Sequence, residues 1–157
     1  MTTGDPDYER LLEFRTGLRR FLHWSEEQAA AAGLTAAQHQ LLLAIRGHPG
    51  SEAPTIGDVA ESLLLRHHST VELVNRAEAA GLVHRARDST DHRIVRLHLT
   101  AVGAQRIREL AAAHTQELAR FAGRLRALWA GLEDAPPLQN PAGPTPRPDR
   151  RGVRRPG

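Results

Sequence analysis

Between Thr55 and Thr100 the spacing of apolar residues changes period, and few folds accommodate the order in which it does so. TIGDVAESLL opens with Thr55 and Asp58 three residues apart, a capping-box-like start, and turns Val59, Ala60 and Leu63 to one side of a short helix. LLLR is a tight turn. Residues 67–80 read as a second helix with Thr70, Leu73, Val74 and Ala77 inward. That leaves His67, His68, Ser69, Val71, Glu72, Asn75 and Arg76 mostly outside. Gly81 ends the helix. LVHRA and RIVRLHL then alternate with period two on either side of RDSTD, through Val83 and Arg85, then Ile94 or Val95, Leu97 and Leu99. The Asp-Ser-Thr signal between them makes this a short β-hairpin.

The flanks are helical. Residues 7–32 repeat Leu11, Phe14, Leu18, Phe21 or Leu22, and Trp24 or Ser25 at spacings of three and four, and Gly33 stops the run. Thr35 and Gln38 form a capping box for a helix whose apolar face is Leu41, Leu42 and Ile45. Thr100 caps a last helical region in which Val102, Ile107, Leu110, Leu118, Phe121, Leu125, Leu128 and Leu132 are expected to be buried, with Gly123 marking a bend or a break. Residues 133–157 are rich in Pro, Gly and Arg, and too poor in apolar residues to offset the entropy of ordering, so a disordered tail is expected. The predicted class is mainly α with a small β-hairpin. The plan is a helix at 7–33, a central module at 34–100, C-terminal helices at 101–132 and the tail.

Helix, turn, helix, Gly and hairpin make a winged helix-turn-helix, whose second helix can enter the DNA major groove with its first residues at base edges. His, Ser and Asn offer donors and acceptors there, and Arg can bind guanine through two hydrogen bonds. The hairpin would bring an Arg to a neighbouring minor groove. Composition permits this without demanding it. The chain of 157 residues has a formal net charge of +3, and residues 55–100 hold six Arg and six Asp/Glu. All its basic residues are Arg.

Other chemistries find less support. With no Cys there is no disulfide, thiolate metal site or thiol nucleophile. Ser69 beside His68 is no dyad, because neighbours on a helix do not face one another. No phosphate-cradling Gly loop or His-Glu-x-x-His occurs, so no enzyme and no cofactor is expected. Among nine His, His23, His39 and His114 could approach one another, but no two His are spaced four apart beside a carboxylate, and no metal is expected. MTTGDPDYER is polar, and no apolar run nears the roughly 20 residues of a membrane helix, so a cytoplasmic protein without membrane attachment is expected.

At this point the residues resemble the MarR family of transcriptional regulators. The similarity lies in LTAAQHQLLLAI (34–45), TIGDVAESL (55–63), STVELVNRAEAAGLVHR (69–85) and RDSTDHRIVRLHLTAVG (87–103), and extends over about 8–132. It implies a homodimer with interleaved N- and C-terminal helices, two winged modules on a near-palindromic double-stranded DNA site, and half-sites about 34–36 Å apart. Repression is the commoner mode it implies. Carried over by position, DNA contacts fall on Arg66, His67, His68, Ser69, Glu72, Arg76, His92 and Arg93, with Asp91 holding an Arg in the wing. Thr55, at a helix N-terminus, is an expected phosphate site. The resemblance also implies a small aromatic or phenolic effector between the long helices and the module, where Phe21, His23, Trp24 and His39 are expected. The alternative for Phe21 and Trp24 is a place in the dimer core, and the alternative for the module is protein contact without specific DNA readout.

Overall fold

A computed structural model describes residues 6–130. Its elements are α1 (Pro6–Ala31), α2 (Ala36–Arg46), α3 (Ile56–Leu63), α4 (His67–Ala79), β1 (Val83–Arg87), β2 (Val95–Leu99) and α5 (Ala101–Trp129). The mainly α class with a hairpin wing is therefore what the chain adopts. The expected tail at 133–157 lies outside the described residues.

Local sequence explains the helix boundaries. Thr35 and Gln38 form a reciprocal capping box on α2, and Thr55 and Asp58 form one on α3. After α1 and α4 the chain closes the same way: Leu34 N bonds to Ala29 O and Gly33 N to Ala30 O, then Leu82 N to Ala77 O and Gly81 N to Glu78 O. This Schellman closure needs a left-handed residue, and Gly33 (φ 75°) and Gly81 (φ 71°) supply it. After α3 the same closure falls on Leu64, at φ 53° and 92% exposed. A side chain in that conformation costs roughly 1–2 kcal/mol.

One core joins these elements. Leu41, Leu42 and Ile45 of α2 pack with Val59, Leu73, Val74, Ala77, Leu82, Val83, Leu97, Ile107 and Leu110. The strands pair antiparallel with Val83 opposite Leu99 and Arg85 opposite Leu97, and Leu97 N also bonds to Pro54 O, fastening the hairpin to the start of α3.

The terminal helices depart from expectation. α5 is one continuous helix through Gly123, because its backbone bonding tolerates a glycine at modest cost in propensity. Ile107, Leu110 and Phe121 are buried as expected, but Val102 and Leu118 are about half exposed. On α1, Leu11, Leu12, Leu18 and Leu22 are also exposed. The single chain supplies too little opposing surface to cover the apolar stripes of two long helices. No helix among the described residues is long and apolar enough to cross a membrane.

Candidate nucleic-acid interface

α4 presents an open first turn. Its N-cap, Arg66, makes no side-chain capping bond, so no cap covers the amides that begin the helix. The Arg66 carbonyl instead accepts Thr70 N at 3.0 Å and Thr70 Oγ1 at 3.1 Å, and the fully buried Thr70 pins this end to the core. His67, His68, Glu72 and Arg76 are exposed and Ser69 is half-buried. Thr70, Leu73, Val74 and Ala77 face inward, so burial of one stripe turns the polar residues out together.

The wing is built on Asp88, which the sequence reading passed over in favour of Asp91. Asp88 is buried and accepts Thr90 N (2.8 Å), Thr90 Oγ1 (2.6 Å) and Asp91 N (3.0 Å) on one oxygen. Its other oxygen takes Arg96 Nε. The Thr90 hydroxyl, then Arg96, then the two amides hold the Asp88 carboxyl well below the usual carboxylate range. Asp-x-Thr at a turn is a readable signal for this arrangement. Arg96 also donates to Ala53 O at 2.8 Å, which ties β2 to the approach to α3.

At the wing tip Arg93 reaches back to Asp91 through two bonds, Nε to Oδ1 at 3.0 Å and Nη2 to Oδ2 at 2.9 Å. Arg93 remains 90% exposed, so the pair aims the guanidinium without hiding it. The pairing lowers the Asp91 carboxyl below its ordinary value and raises Arg93. His92 is exposed, and its carbonyl accepts Arg87 Nη1 at 3.2 Å. Arg87 is a further exposed cation at the wing that sequence reasoning missed.

Two other Arg are taken up internally. Arg85 pairs with Glu78, and donates through Nη2 to Asn75 Oδ1 at 2.7 Å, locking β1 to the third turn of α4. With Arg96 bound to Asp88, four of the six Arg in 55–100 remain outward: Arg66, Arg76, Arg87 and Arg93.

Thr55 is engaged within its own helix start. Its hydroxyl accepts Asp58 N at 3.2 Å and donates to Asp58 Oδ2 at 2.8 Å, and its amide donates to the same oxygen at 2.7 Å. The hydroxyl and amide of Thr55 are thus taken up in capping α3.

The expected effector residues also separate. His23 is exposed and lies 3.4 Å from Glu27, one turn along α1, away from the others. Phe21, Trp24 and His39 instead gather around His114, with ring centroids 6.5, 4.9 and 4.6 Å from it, and Phe21 stacks on Phe121 at 5.8 Å. These rings fill their space against one another. A cavity of about 360 Å³ lies elsewhere between α1 and α5, lined by residues that include Leu12, Gly17, Arg20, Phe121 and Leu128. Among the described residues, no three of His, Cys, Asp and Glu are placed to hold a metal ion.

Comparison with known proteins agrees with this layout. Residues 32–94 match the model of the MarR family. A curated relative, the uncharacterised HTH-type transcriptional regulator YsmB of Bacillus subtilis, is 36% identical over 56 residues, which is 36% of this chain and 38% of the length of YsmB. The MepR–DNA complex of Staphylococcus aureus is similar in fold at a TM-score of 0.59 and 18% identity, covering 74% of this chain and 90% of MepR. BpsR of Bordetella bronchiseptica, whose DNA binding is regulated by 6-hydroxynicotinic acid, matches at a TM-score of 0.55 and 23% identity, covering 78% and 91%. Residues 32–94, which hold the helix-turn-helix and the first strand of the wing, thus match the MarR family, and the chain as a whole has the winged helix-turn-helix fold seen in these structures.

Proposed function

We propose that this chain is a transcriptional regulator that binds double-stranded DNA as a homodimer and represses by excluding polymerase from a near-palindromic operator. The observation that carries the reading is the open, polar first turn of α4 beside a wing whose tip Arg93 is held outward by Asp91. α4 would read base edges with His67, His68, Ser69, Glu72 and Arg76, and Arg66 and His92 would approach the backbone. The uncovered apolar residues of α1 and α5 favour a second copy as their partner. The test is Arg93→Ala and His68→Ala in a chain whose dimerisation is monitored by sedimentation. Loss of DNA binding with the dimer intact supports the reading.

An effector enters the proposal by way of BpsR, which responds to an aromatic acid. Such a ligand would have to part the Phe21–Trp24–His114 rings or occupy the α1–α5 cavity. If Trp24 emission and DNA affinity both ignore a panel of aromatic acids, this part is withdrawn.

A second reading, a module for protein contact without specific DNA readout, draws on the balance of six Arg against six Asp/Glu in residues 55–100. It requires that Arg93→Ala and His68→Ala leave the chain's associations unchanged.

A further inference from the structure

Three helices meet at one polar point that the DNA-facing surface does not use. Ser25 of α1 lies with Oγ 2.8 Å from His114 Nε2, and His114 Nδ1 is 2.9 Å from Leu110 O. A carbonyl only accepts, so Nδ1 carries the proton, and Nε2 of the neutral ring accepts from the Ser25 hydroxyl. His39 of α2, 6% exposed, faces the same ring at a centroid distance of 4.6 Å. The long helices α1 and α5 thus meet α2, the scaffold of the helix-turn-helix, through two imidazoles.

The surrounding groups make this contact sensitive to protons. From α1 the neighbours are Ser25, Trp24 and Phe21, none of which is acidic, while His23 turns outward to Glu27. On α5, Glu117 is bonded by Arg120 and Arg124. On α2 the other ionisable residue, Arg46, is exposed in its last turn. A proton added at His39 therefore meets a second imidazole, and among the described residues no carboxylate is bonded to either ring.

We propose that the His39–His114 contact is a proton-sensitive joint that loosens α2 from α1 and α5 as the pH falls. Burial, then the facing His114, lowers the His39 pKa from its ordinary 6.5. The sign follows from linkage. Below 6.5 the unfolded chain binds a proton at His39 that the folded chain resists, so this contribution to stability is present above that value and is lost as the pH drops beneath it. α2 also carries the core against which α3 and α4 pack, through Leu41, Leu42 and Ile45. Loosening it shifts α4 relative to the long helices. In the homodimer proposed above, that alters the separation of the two reading helices. This last step rests on the DNA-binding reading, whereas the joint does not.

The experiment uses the full chain without DNA, in a Trp129→Phe background so that Trp24 is the fluorophore. Thermal unfolding, Trp24 emission and histidine proton NMR are followed from pH 8 to pH 5. The expected result is a His39 ring that titrates below 6.5, a melting midpoint that falls with pH, and a Trp24 change over the same range. His39→Gln removes at least half of the pH dependence of melting. A His39 ring titrating at or above the ordinary value, or His39→Gln keeping the full dependence, overturns the joint. If His39→Gln fails to fold, the NMR titration of the unsubstituted ring decides. DNA affinity at pH 7.5 and 5.5 is measured alongside, with a severalfold acid loss expected that His39→Gln relieves. A pH-sensitive joint in a chain that binds no DNA at any pH supports the joint and defeats the DNA reading.

Discussion

Gly103 joins the first turn of α5 to the end of α4, and Gly103→Ala is expected to destabilise the chain. A Cβ built there lies 2.1 Å from Leu82 O and 3.0 Å from Leu82 C. The obstacle is backbone, so no side chain can swing aside. Leu82 O already accepts Thr100 N at 3.1 Å, and Thr100 Oγ1 bonds to Gly81 O at 2.6 Å while capping Gly103 N at 3.0 Å. Reaching ordinary contact requires the helix start to move by roughly 1 Å, and forced overpacking of this kind costs about 1–3 kcal/mol. Loss of one backbone bond adds about 1 kcal/mol, and the better helix propensity of Ala returns about 1 kcal/mol. The net expectation is a loss of about 1–3 kcal/mol, read as a lower urea midpoint at unchanged slope. Gly123→Ala is the control. A Cβ at Gly123 meets nothing within 4 Å, so only propensity acts and a gain of up to about 1 kcal/mol is expected. Equal urea midpoints for the two variants, or a stabilised Gly103→Ala, would refute the close approach.

Other consequences follow from the same geometry. Leu64→Gly should be neutral or stabilising by up to about 1 kcal/mol in thermal melts, because relief of the left-handed strain outweighs the added freedom of the unfolded chain; a clear loss would contradict a strained turn. Arg93→Ala should weaken operator binding and lower the magnitude of the salt slope by about 2 for a dimer carrying two wings, whereas an unchanged slope would remove Arg93 from the phosphate contacts. Leu18→Asp with Leu118→Asp should shift sedimentation from dimer to monomer, and a persistent dimer would place the interface elsewhere. Residues 133–157 carry five Arg, which would act as a sequence-independent tether to phosphates, so deleting them should weaken binding to cognate and random DNA equally; unchanged binding to both would remove that role.

The sequence made the scaffold readable because its signals are local. Thr35 with Gln38, Thr55 with Asp58, and Gly81 before an alternating pair of strands each specify a backbone event within a few residues, and each occurs. Signals that depend on what lies opposite were less legible. Val102 and Leu118 have the right helical spacing for burial, but spacing cannot tell which apolar positions a single chain covers. Gly123 carries the same letter as Gly33 and Gly81, yet sits inside a bonded helix. Across residues 55–100, composition counts six Arg alike, and only the fold shows that Arg85 and Arg96 are spent on Glu78, Asn75 and Asp88. At Thr55 the sequence showed the capping pair with Asp58, but only the fold shows that both its hydroxyl and its amide are engaged by that carboxylate. His114, 89 residues from Ser25 in the chain, became the centre of the ring cluster through a packing that no motif announces.

Internal use of Arg85 and Arg96 also bounds the electrostatics. Four outward Arg per chain in residues 55–100 give roughly eight in a dimer, so the logarithmic salt slope from this module should not exceed roughly 7 in magnitude. On the proposed DNA-binding reading, selectivity would then come from base contacts at the start of α4.

Fluorescence anisotropy of the purified chain, titrated into the DNA directly upstream of its own gene and into a scrambled duplex across a salt series, tests DNA reading most directly. A regulator of the kind proposed binds the upstream DNA at least about 10³-fold more tightly than the scrambled duplex. Weak binding to both, with the same salt slope, would contradict sequence-specific reading and leave a module for protein contact.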